Sequence, residues 1–248
     1  MHLLLGFLAL TATSLACQQG GGQVCFNIYN KCPFTIWPGI LGSTIPDGGG
    51  FTLQAGESRD VYVPDGWRAG RVWARTNCDQ SFNCDTGFCR NSEQCQGAGG
   101  VPPASLAEFT LNGDGGQDYY DVSLVDGYNI PVFIEPIEGT YSTNGGEYDC
   151  KRAGGCITDV NSVCPPELQV VKNGRVVACK SACLAFNTDQ YCCRGAYGTP
   201  ETCQASQYGK IFKQCCPTAY SYAYDDHSST FVCRGAGTKS PSYRIQFC

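Results

Sequence analysis

Four cysteines lie within the fifteen residues CKSACLAFNTDQYCC, which run from Cys179 to Cys193. Such a cluster could bind a metal ion, form a redox-active pair or form structural disulfides. The chain has 19 cysteines but no C-x-x-C pair, and its two histidines, His2 and His227, lie outside the cluster. Because zinc sites and thioredoxin-type redox sites usually contain C-x-x-C pairs or Cys/His combinations, the spacing favours disulfides and predicts no metal.

An export signal is expected at the amino terminus, because disulfides persist only in oxidising compartments. Residues 1–16, MHLLLGFLALTATSLA, contain an apolar run followed by small residues, which is typical of a signal peptide cleaved after Ala16. The alternative is a lipid anchor on Cys17, because SLAC resembles a lipoprotein cleavage site. No later apolar stretch is long enough to span a membrane. The mature chain, residues 17–248, is therefore expected to be secreted and extracellular.

Groups for nucleophilic or phosphate chemistry are scarce. His227, the one histidine left after export, lies in the polar segment DDHSST, so no Ser–His or Cys–His nucleophile is predicted. The glycine clusters at 20–22 and 48–50 lack the Lys-Ser/Thr pair of phosphate-binding loops. A formal net charge of -5 without basic runs argues against nucleic acid and anionic membranes as partners. No cofactor is expected.

The elements that would position a site are mainly β-strands. Apolar residues alternate in VCFNIYNK, in DYYDVSLVDGYNIPVFIEPI and in the terminal YRIQF, and Asp126 and Gly127 mark a turn within the second run. Such alternation, interrupted by Gly and Pro, predicts antiparallel strands in a sandwich or barrel. The segment from Cys150 to Cys216 differs, because it holds ten cysteines and two short helical stretches, SACLAFNTDQ and QYGKIFKQ. It has too little apolar surface for an ordinary core, so disulfides are expected to replace packing there.

Seven segments of the chain resemble thaumatin-like proteins: NKCPFTIWPG, GRVWARTNC, PASLAEFTL, DYYDVSLVDGYNIP, QYCC, FKQCCPTAYSYAYDD and YRIQFC. They occur in the expected order and cover essentially the whole mature chain. The resemblance implies a mainly β protein: a flattened antiparallel β-sandwich with a disulfide-rich, partly helical subdomain and a small disulfide loop region. We predict the β core at 24–80, 105–149 and 216–248, the small loop region at 81–104 and the disulfide-rich subdomain at 150–215.

The resemblance also implies eight disulfides: Cys32–Cys248, Cys78–Cys84, Cys89–Cys95, Cys150–Cys233, Cys156–Cys216, Cys164–Cys179, Cys183–Cys192 and Cys193–Cys203. Three cysteines fall outside this set. If Cys17 leaves with the signal peptide, Cys25 and Cys215 are candidates for a ninth bridge. If Cys17 is retained, the count is odd and one cysteine must be free, modified or paired with another chain.

Carboxylates are the best candidates for binding or catalysis. The resemblance implies an acidic cleft with one arginine and four carboxylates, at Arg71, Glu108, Asp121, Asp126 and Asp225. Asp226 follows directly, so the last assignment could shift by one residue. In a regular strand Asp121 and Asp126 would point to opposite faces, so they can share a cleft only if the chain turns before Asp126.

Such a cleft could bind sugar hydroxyls or hydrolyse a glycosidic bond. In a glycosidase, Glu108 would be the general acid, with a pKa raised by burial or by neighbouring negative charge. Asp126 would be the second carboxylate and would position water. Arg71 would keep one carboxylate ionised. The alternative is an ion-pair network with a purely structural role.

The aromatic residues near these segments are expected mainly to pack. Tyr220, Tyr222 and Tyr224 alternate before the last aspartates, and an extended chain would present their rings on one side as a platform for sugar. Such a row more often packs against the core or a neighbouring strand. Trp37 and Trp73 are likewise expected to be core anchors.

The leading prediction is a secreted, monomeric defence protein that binds fungal cell-wall β-1,3-glucan, with weak endo-β-1,3-glucanase and antifungal activity as an extension. One alternative is a non-enzymatic recognition or inhibitor protein that uses surface loops. Another is a taste-active or purely structural scaffold. The fold alone cannot choose among these functions.

Overall fold

The computed structural model describes Cys17, residues 23–237 and residues 239–248. The predicted signal peptide at 1–16 lies outside the described residues. The strands are β1 Gln23–Asn30, β2 Ile36–Leu41, β3 Ser58–Pro64, β4 Gly70–Cys78, β5 Cys84–Thr86, β6 Leu106–Thr110, β7 Asp118–Ser123, β8 Val132–Pro136, β9 Tyr141–Ser142, β10 Ala153–Gly154, β11 Gln169–Lys172, β12 Arg175–Cys179, β13 Phe231–Gly235 and β14 Tyr243–Phe247. The α-helices are α1 Val160–Val163, α2 Ala182–Phe186, α3 Asp189–Cys192 and α4 Gln207–Cys215.

Two sheets form the larger part of the fold. The first has the strand order β10-β8-β14-β1-β3, and the second has the order β2-β4-β6-β7-β13-β9, with β5 paired to β4. Most neighbouring strands are antiparallel, so the predicted mainly β, antiparallel sandwich is confirmed. The first and last strands depart from this rule, because β1 and β14 run parallel. Cys32 and Cys248 follow the carboxyl ends of β1 and β14, and their disulfide holds these two ends together. Two neighbouring strands whose carboxyl ends meet must run parallel.

The sandwich core is built from aromatic rings contributed by both sheets. Phe26 of β1 stacks on Phe109 of β6 with ring centroids 4.6 Å apart, and Phe109 meets Tyr243 of β14 at 5.3 Å. Trp67 packs edge-on against Phe26 at 5.6 Å. All four side chains are buried. Because burying aromatic surface is strongly favourable, this cluster supplies much of the packing energy of the sandwich.

A buried arginine attaches the small disulfide loop region to the second sheet. The Arg75 guanidinium on β4 is fully buried and donates to the backbone carbonyls of Trp37, Ser92 and Glu93. Burial lowers its pKa to about 10, against the opposing charge of Glu93. These bonds fix the loop beside β2 and β4, because a buried guanidinium is stable only when its donors are satisfied.

The segment 150–215 is organised by short elements and disulfides. The Ser181 hydroxyl accepts from the backbone N–H of Leu184 and begins α2, and the Ser206 hydroxyl accepts from Gly209 and begins α4. Apart from α4, these helices have only four or five residues, too few to be stable without tertiary support. Crosslinks within and beside this segment supply that support.

The structure contains all eight disulfides that the resemblance implies, and a ninth that it does not. The ninth joins Cys17 to Cys25, and Cys215 is a free, buried thiol. The predicted Cys25–Cys215 bridge is therefore wrong. Cys25 lies in β1, opposite Tyr62 of β3, whereas Cys215 ends α4 in the disulfide-rich segment. Cys17 lies beside Cys25 and forms the disulfide with it.

Candidate functional site

Three charged residues lie side by side across three neighbouring strands. In the β4–β6 pair Arg71 is directly opposite Glu108, and in the β6–β7 pair Glu108 is directly opposite Asp121. Residues opposite each other in a sheet project from the same face. The alternation that buries the core side of these strands therefore places all three charges on the other face.

The first two residues of this row form an ion pair. Arg71 Nε lies 2.9 Å from Glu108 Oε1, and the side chains are 49% and 27% exposed. Half of the guanidinium side chain thus remains open to solvent, so its other N–H groups are free to meet a ligand. The pair is partly screened by water and contributes modestly to stability.

A turn after β7 brings Asp126 back to the same cavity. The chain bends at residues 125–126, and the Gly127 N–H donates to the Leu124 carbonyl at 2.9 Å. Gly127 has φ +93°, and a Cβ there would lie 2.7 Å from both the Cys179 carbonyl oxygen and Pro103. Glycine is therefore required for the turn. Asp121 and Asp126 consequently line one cavity despite their odd spacing.

We call this cavity the acidic cleft; it is lined by Arg71, Leu106, Glu108, Asp121, Ser123, Val125, Asp126, Tyr220 and Ala223. Its volume is about 240 Å³. A smaller cavity of about 40 Å³ adjoins it beside Arg71 and Asp126, and Gly99, Gly100 and Pro102 of the small loop region form part of its wall. The small disulfide loop region therefore borders the acidic cleft.

Asp225 does not line the acidic cleft, although the resemblance assigned it there. Its Oδ2 accepts from the backbone N–H and hydroxyl of Ser221, and it lies 3.0 Å from Lys213 Nζ. Its Oδ1 accepts from the Ser228 hydroxyl at 3.2 Å. With both oxygens engaged by its own loop and by α4, the Asp225 carboxylate has a structural role.

Asp226 does not line the cavity itself, but it is the carboxylate of this pair that contacts a residue of the cleft. Its Oδ1 accepts from the hydroxyl of Tyr220, which lines the cleft. Its charge also acts on Asp121. The shift by one residue arises because the two aspartates begin a short 3-10 turn, in which neighbouring side chains diverge.

The carboxyl groups of the central pair are harder to ionise than free ones. Burial raises the pKa of Glu108, the Arg71 charge opposes this rise and the Asp126 charge adds to it. Burial also raises the pKa of Asp121 well above its ordinary value, and the charges of Glu108 and Asp226 add to the effect. The cleft thus contains carboxyl groups that can stay protonated and act as hydrogen-bond donors or acids.

The tyrosines before Asp225 do not form a common platform. Tyr220 lines the acidic cleft, whereas the Tyr224 hydroxyl donates to the Gly198 carbonyl at 2.7 Å. Tyr222 lines a separate depression of about 50 Å³ together with Tyr191 and Tyr208. This aromatic depression adjoins the cleft, because Val125 and Ala223 line both.

The two predicted tryptophan anchors differ. Trp73 is buried, and its Nε1 donates to the Gly87 carbonyl at 2.8 Å. Trp37 is only half-buried and lines a different cavity.

Two polar residues that line the cleft, Ser123 and Tyr220, were not assigned to it from the sequence. Ser123 could have been found, because it lies two residues after Asp121 in β7 and so shares its face. Tyr220 follows no such rule, since an isolated bridge to Ser123 places it beside β7.

Among the described residues, one group of potential metal ligands comes together: Cys17, Cys25 and Asp60. Both sulfur atoms are joined in a disulfide, so the group offers only one carboxylate. That carboxylate instead accepts hydrogen bonds from the Cys17 backbone N–H and the Asn27 amide. None of the helices in the described part of the chain is long and apolar enough to cross a bilayer.

Comparison with known proteins decides the family. The sequence pattern of the Thaumatin family matches residues 30–248. Pathogenesis-related protein 5 of Arabidopsis thaliana is 54% identical over 229 residues, covering 90% of this chain and 89% of that protein. The chain belongs to the thaumatin family. The thaumatin-like resemblance read from the sequence is thereby confirmed.

Two further comparisons involve glucan-active proteins. A thaumatin-family relative from Prunus avium named glucan endo-1,3-beta-glucosidase is 44% identical over 257 residues, covering 100% of this chain and 99% of that protein. The laminaripentaose-producing β-1,3-glucanase of Paenibacillus barengoltzii, solved with laminarihexaose, is similar in structure with a TM-score of 0.57. That likeness covers 96% of this chain and 78% of the glucanase at 13% identity, so it shows a shared fold alone.

Proposed function

We propose that this thaumatin-family chain is a secreted defence protein whose acidic cleft binds β-1,3-glucan of fungal walls. The observation that carries the proposal is the convergence of Arg71, Glu108, Asp121 and Asp126 on one open cavity. The glucanase name of the Prunus avium relative supports the choice of glucan as ligand.

The chemistry of the cleft suits a neutral, hydroxyl-rich ligand. Ionised carboxylates accept hydrogen bonds from sugar hydroxyls, and protonated ones also donate. The raised pKa values of Glu108 and Asp121 make both forms accessible. The open guanidinium N–H groups of Arg71 and the hydroxyls of Ser123 and Tyr220 add further polar groups. Few convergent polar groups in a concave site are typical of ligand binding.

Hydrolysis of the bound glucan is a second candidate function, favoured by the raised pKa of Glu108. A general acid must hold its proton until it transfers it to the leaving oxygen, which a raised pKa permits. In this proposal Glu108 protonates the glycosidic oxygen and Asp126 positions the attacking water. Arg71 Nε, which lies 2.9 Å from Glu108 Oε1, orients the Glu108 carboxyl group by donating a hydrogen bond to it.

A pull-down on insoluble β-1,3-glucan, combined with an assay of released sugar, tests both functions. We expect Glu108→Gln and Asp126→Asn to weaken binding by about tenfold or more, because each removes a convergent polar group. Glu138→Gln and Asp114→Asn are matched controls, since both carboxylates are exposed and away from the cleft. Loss of sugar release in the first pair alone supports hydrolysis.

The remaining outcomes of this assay reject one or both functions. Binding without released sugar rejects hydrolysis and leaves the binding function. No binding by the wild-type chain rejects the glucan proposal and favours a recognition or inhibitor protein. Binding that is unaffected in Glu108→Gln and Asp126→Asn places the glucan site elsewhere.

The ninth disulfide supports cleavage of the signal peptide after Ala16 and disfavours the lipid anchor. Cys17 is bonded to Cys25, and its backbone N–H donates to Asp60 Oδ2 at 2.9 Å. A lipid-modified Cys17 could not form this disulfide, because the thioether would occupy its sulfur. Amino-terminal sequencing of exported protein should therefore begin at Cys17, and a lipid-modified terminus would contradict this proposal.

A further inference from the structure

A cavity of about 870 Å³ lies outside the acidic cleft and shares no lining residue with it. Its lining includes Phe34 and Trp37, just before and within edge strand β2, and residues of the β11–β12 hairpin. We call this cavity the hairpin groove. It falls within the size range of small-ligand sites.

Two basic side chains project from the hairpin at the groove. Asn173 and Gly174 have φ of 49° and 73°, which is typical of a tight two-residue hairpin turn. This turn places Lys172 directly opposite Arg175, and both line the groove. Like charges directly opposite each other in an antiparallel pair are destabilising. Neither residue forms an ion pair or a side-chain hydrogen bond within the described residues.

Two carboxylates also line the groove, but neither forms an ion pair with the hairpin. Asp85 accepts from the side-chain amide of Asn77. Asp159 accepts from the Tyr128 hydroxyl at 3.0 Å and from the backbone N–H of Asn161 at 3.1 Å. These donors are neutral and hold both carboxylates in place, and neither carboxylate pairs with Lys172 or Arg175. The two cations are therefore left without an ion-pair partner among the described residues and can meet a ligand.

The lining of the groove also offers flat apolar surface. Phe34 is 43% exposed, Trp37 is half-buried, and both line the groove. Ile130 and Val176 extend the apolar lining. A ligand that fits this groove has flat, weakly polar faces to lie on the aromatic rings and negative groups to meet the two cations.

We propose that the hairpin groove binds an acidic oligosaccharide, a chain of sugar rings that carries carboxylates. The ring faces pack on Phe34 and Trp37, and the carboxylates pair with Lys172 and Arg175. This site is separate from the acidic cleft, which is lined by one arginine and three carboxylates and suits a neutral glucan.

Titration of the full mature chain with an oligomer of galacturonic acid, followed by calorimetry, tests the proposal. The same oligomer with its carboxylates methyl-esterified is the matched neutral probe. We expect the acidic oligomer to bind and the esterified one to bind about tenfold more weakly or not at all. Raising the salt concentration should weaken binding, because the cations are exposed.

Two double variants locate the site. Lys172→Gln with Arg175→Gln should weaken binding of the acidic oligomer by about tenfold or more. Lys151→Gln with Lys210→Gln removes the same charge from exposed positions outside the groove and should leave binding unchanged. Because the first pair removes a like-charge repulsion, its thermal midpoint should not fall below that of the wild type. The exposed position of Phe34 makes Phe34→Ser a second, fold-preserving variant that should also weaken binding.

Several outcomes would overturn the acidic-oligosaccharide proposal. They are no binding of the acidic oligomer by the wild-type chain, equal binding of the esterified oligomer, and equal losses in the two double variants. If Glu108→Gln loses binding of the acidic oligomer while the hairpin variants retain it, the oligomer binds in the acidic cleft instead. That result would also contradict the proposal.

Discussion

The β-sandwich and the disulfide-rich segment at 150–215 are stabilised in different ways. The sandwich buries a continuous aromatic cluster between its two sheets, with Phe26 and Phe109 at its centre. The disulfide-rich segment has its own aromatic group of Phe186, Tyr191 and Tyr208, but Phe186 is 37% exposed. The disulfide-rich segment buries Leu168 and Phe212 in the same core as the sandwich but leaves this aromatic group partly in water. Its crosslinks are therefore expected to contribute more of its stability than packing does.

The acidic cleft depends on both regions. Arg71, Glu108 and Asp121 project from sheet strands whose other side is packed against the core. The turn at Asp126 instead rests against the disulfide-rich segment, where Tyr128 and Cys179 exchange backbone hydrogen bonds of 2.8 Å. A destabilising substitution in the sandwich should therefore affect the cleft through the sheet strands. A substitution in the disulfide-rich segment should affect it through the turn at Asp126.

The largest expected effect comes from truncating an aromatic ring in each region. Phe26→Ala should lower the free energy of unfolding by about 4 kcal/mol, because it leaves a cavity in the packed sandwich. Phe186→Ala should cost about 1 kcal/mol or less, because its ring is already partly in water. Chemical denaturation measures both values. Equal losses would contradict the distinction between the two regions.

Removing a crosslink should have a smaller and more local effect. The Cys164–Cys179 disulfide closes a loop of 15 residues, and Cys164→Ala with Cys179→Ala should cost about 3 kcal/mol. Limited proteolysis should then cut first within 150–215, because the lost crosslink holds that segment and its short helices have little stability of their own. Phe26→Ala is the comparison, since it should weaken the whole sandwich. Early cutting in the β-strands of the disulfide variant would contradict this order.

The smallest expected effect is the pH dependence of the free energy of unfolding, which has opposite signs in the two regions. In the sandwich, burial raises the pKa of Asp118 to about 6, against hydrogen bonds from Ser240, Asn112 and Tyr243. Since an unfolded aspartate titrates near 3.8, the unfolded state ionises first. The contribution of Asp118 to the free energy of unfolding is therefore complete below about pH 4. It falls as the pH rises through 6, and the total loss is at most about 3 kcal/mol. In the disulfide-rich segment, hydrogen bonds lower the pKa of Glu167, so its contribution is lost on acidification.

Unfolding midpoints from pH 4 to 7 measure the Asp118 contribution. Asp118→Asn should flatten the pH dependence, and the exposed Asp114→Asn should leave it unchanged. The dependence should become smaller without vanishing, because the raised pKa values of Glu108 and Asp121 act in the same direction. A steeper dependence in Asp118→Asn would contradict the assigned sign.

Local periodicity predicted much of the sheet, but not how distant segments meet. The alternating runs became β1, β7, β8 and β14, and the two short helical stretches became α2 to α4. The parallel pairing of β1 with β14 was missed, although Cys32 and Cys248 at the two strand ends implied it. An alternation pattern carries no information on strand direction, because side chains alternate equally in both.

Because sequence patterns do not show how distant segments meet, only some residues of the acidic cleft could be assigned from the sequence. Arg71, Glu108 and Asp121 occupy regular strands, where register determines their common face. Asp225 and Asp226 lie in a loop, and tertiary contacts decide which of them turns away from the cleft: Lys213, Ser221 and Ser228 all hold Asp225. The Cys25–Cys215 pairing assumed that Cys17 leaves with the signal peptide, whereas in the structure Cys25 is bonded to Cys17, eight residues before it.

Hydrogen–deuterium exchange with a β-1,3-glucan hexamer tests the central claim, that the acidic cleft is the glucan site, most directly. The account predicts slower exchange on ligand addition at 106–110, 118–127 and 219–226, the segments that surround the cleft. Asp126→Asn should abolish this protection, and Asp114→Asn should retain it. Protection confined to the hairpin groove, or none at saturating hexamer, would contradict the claim.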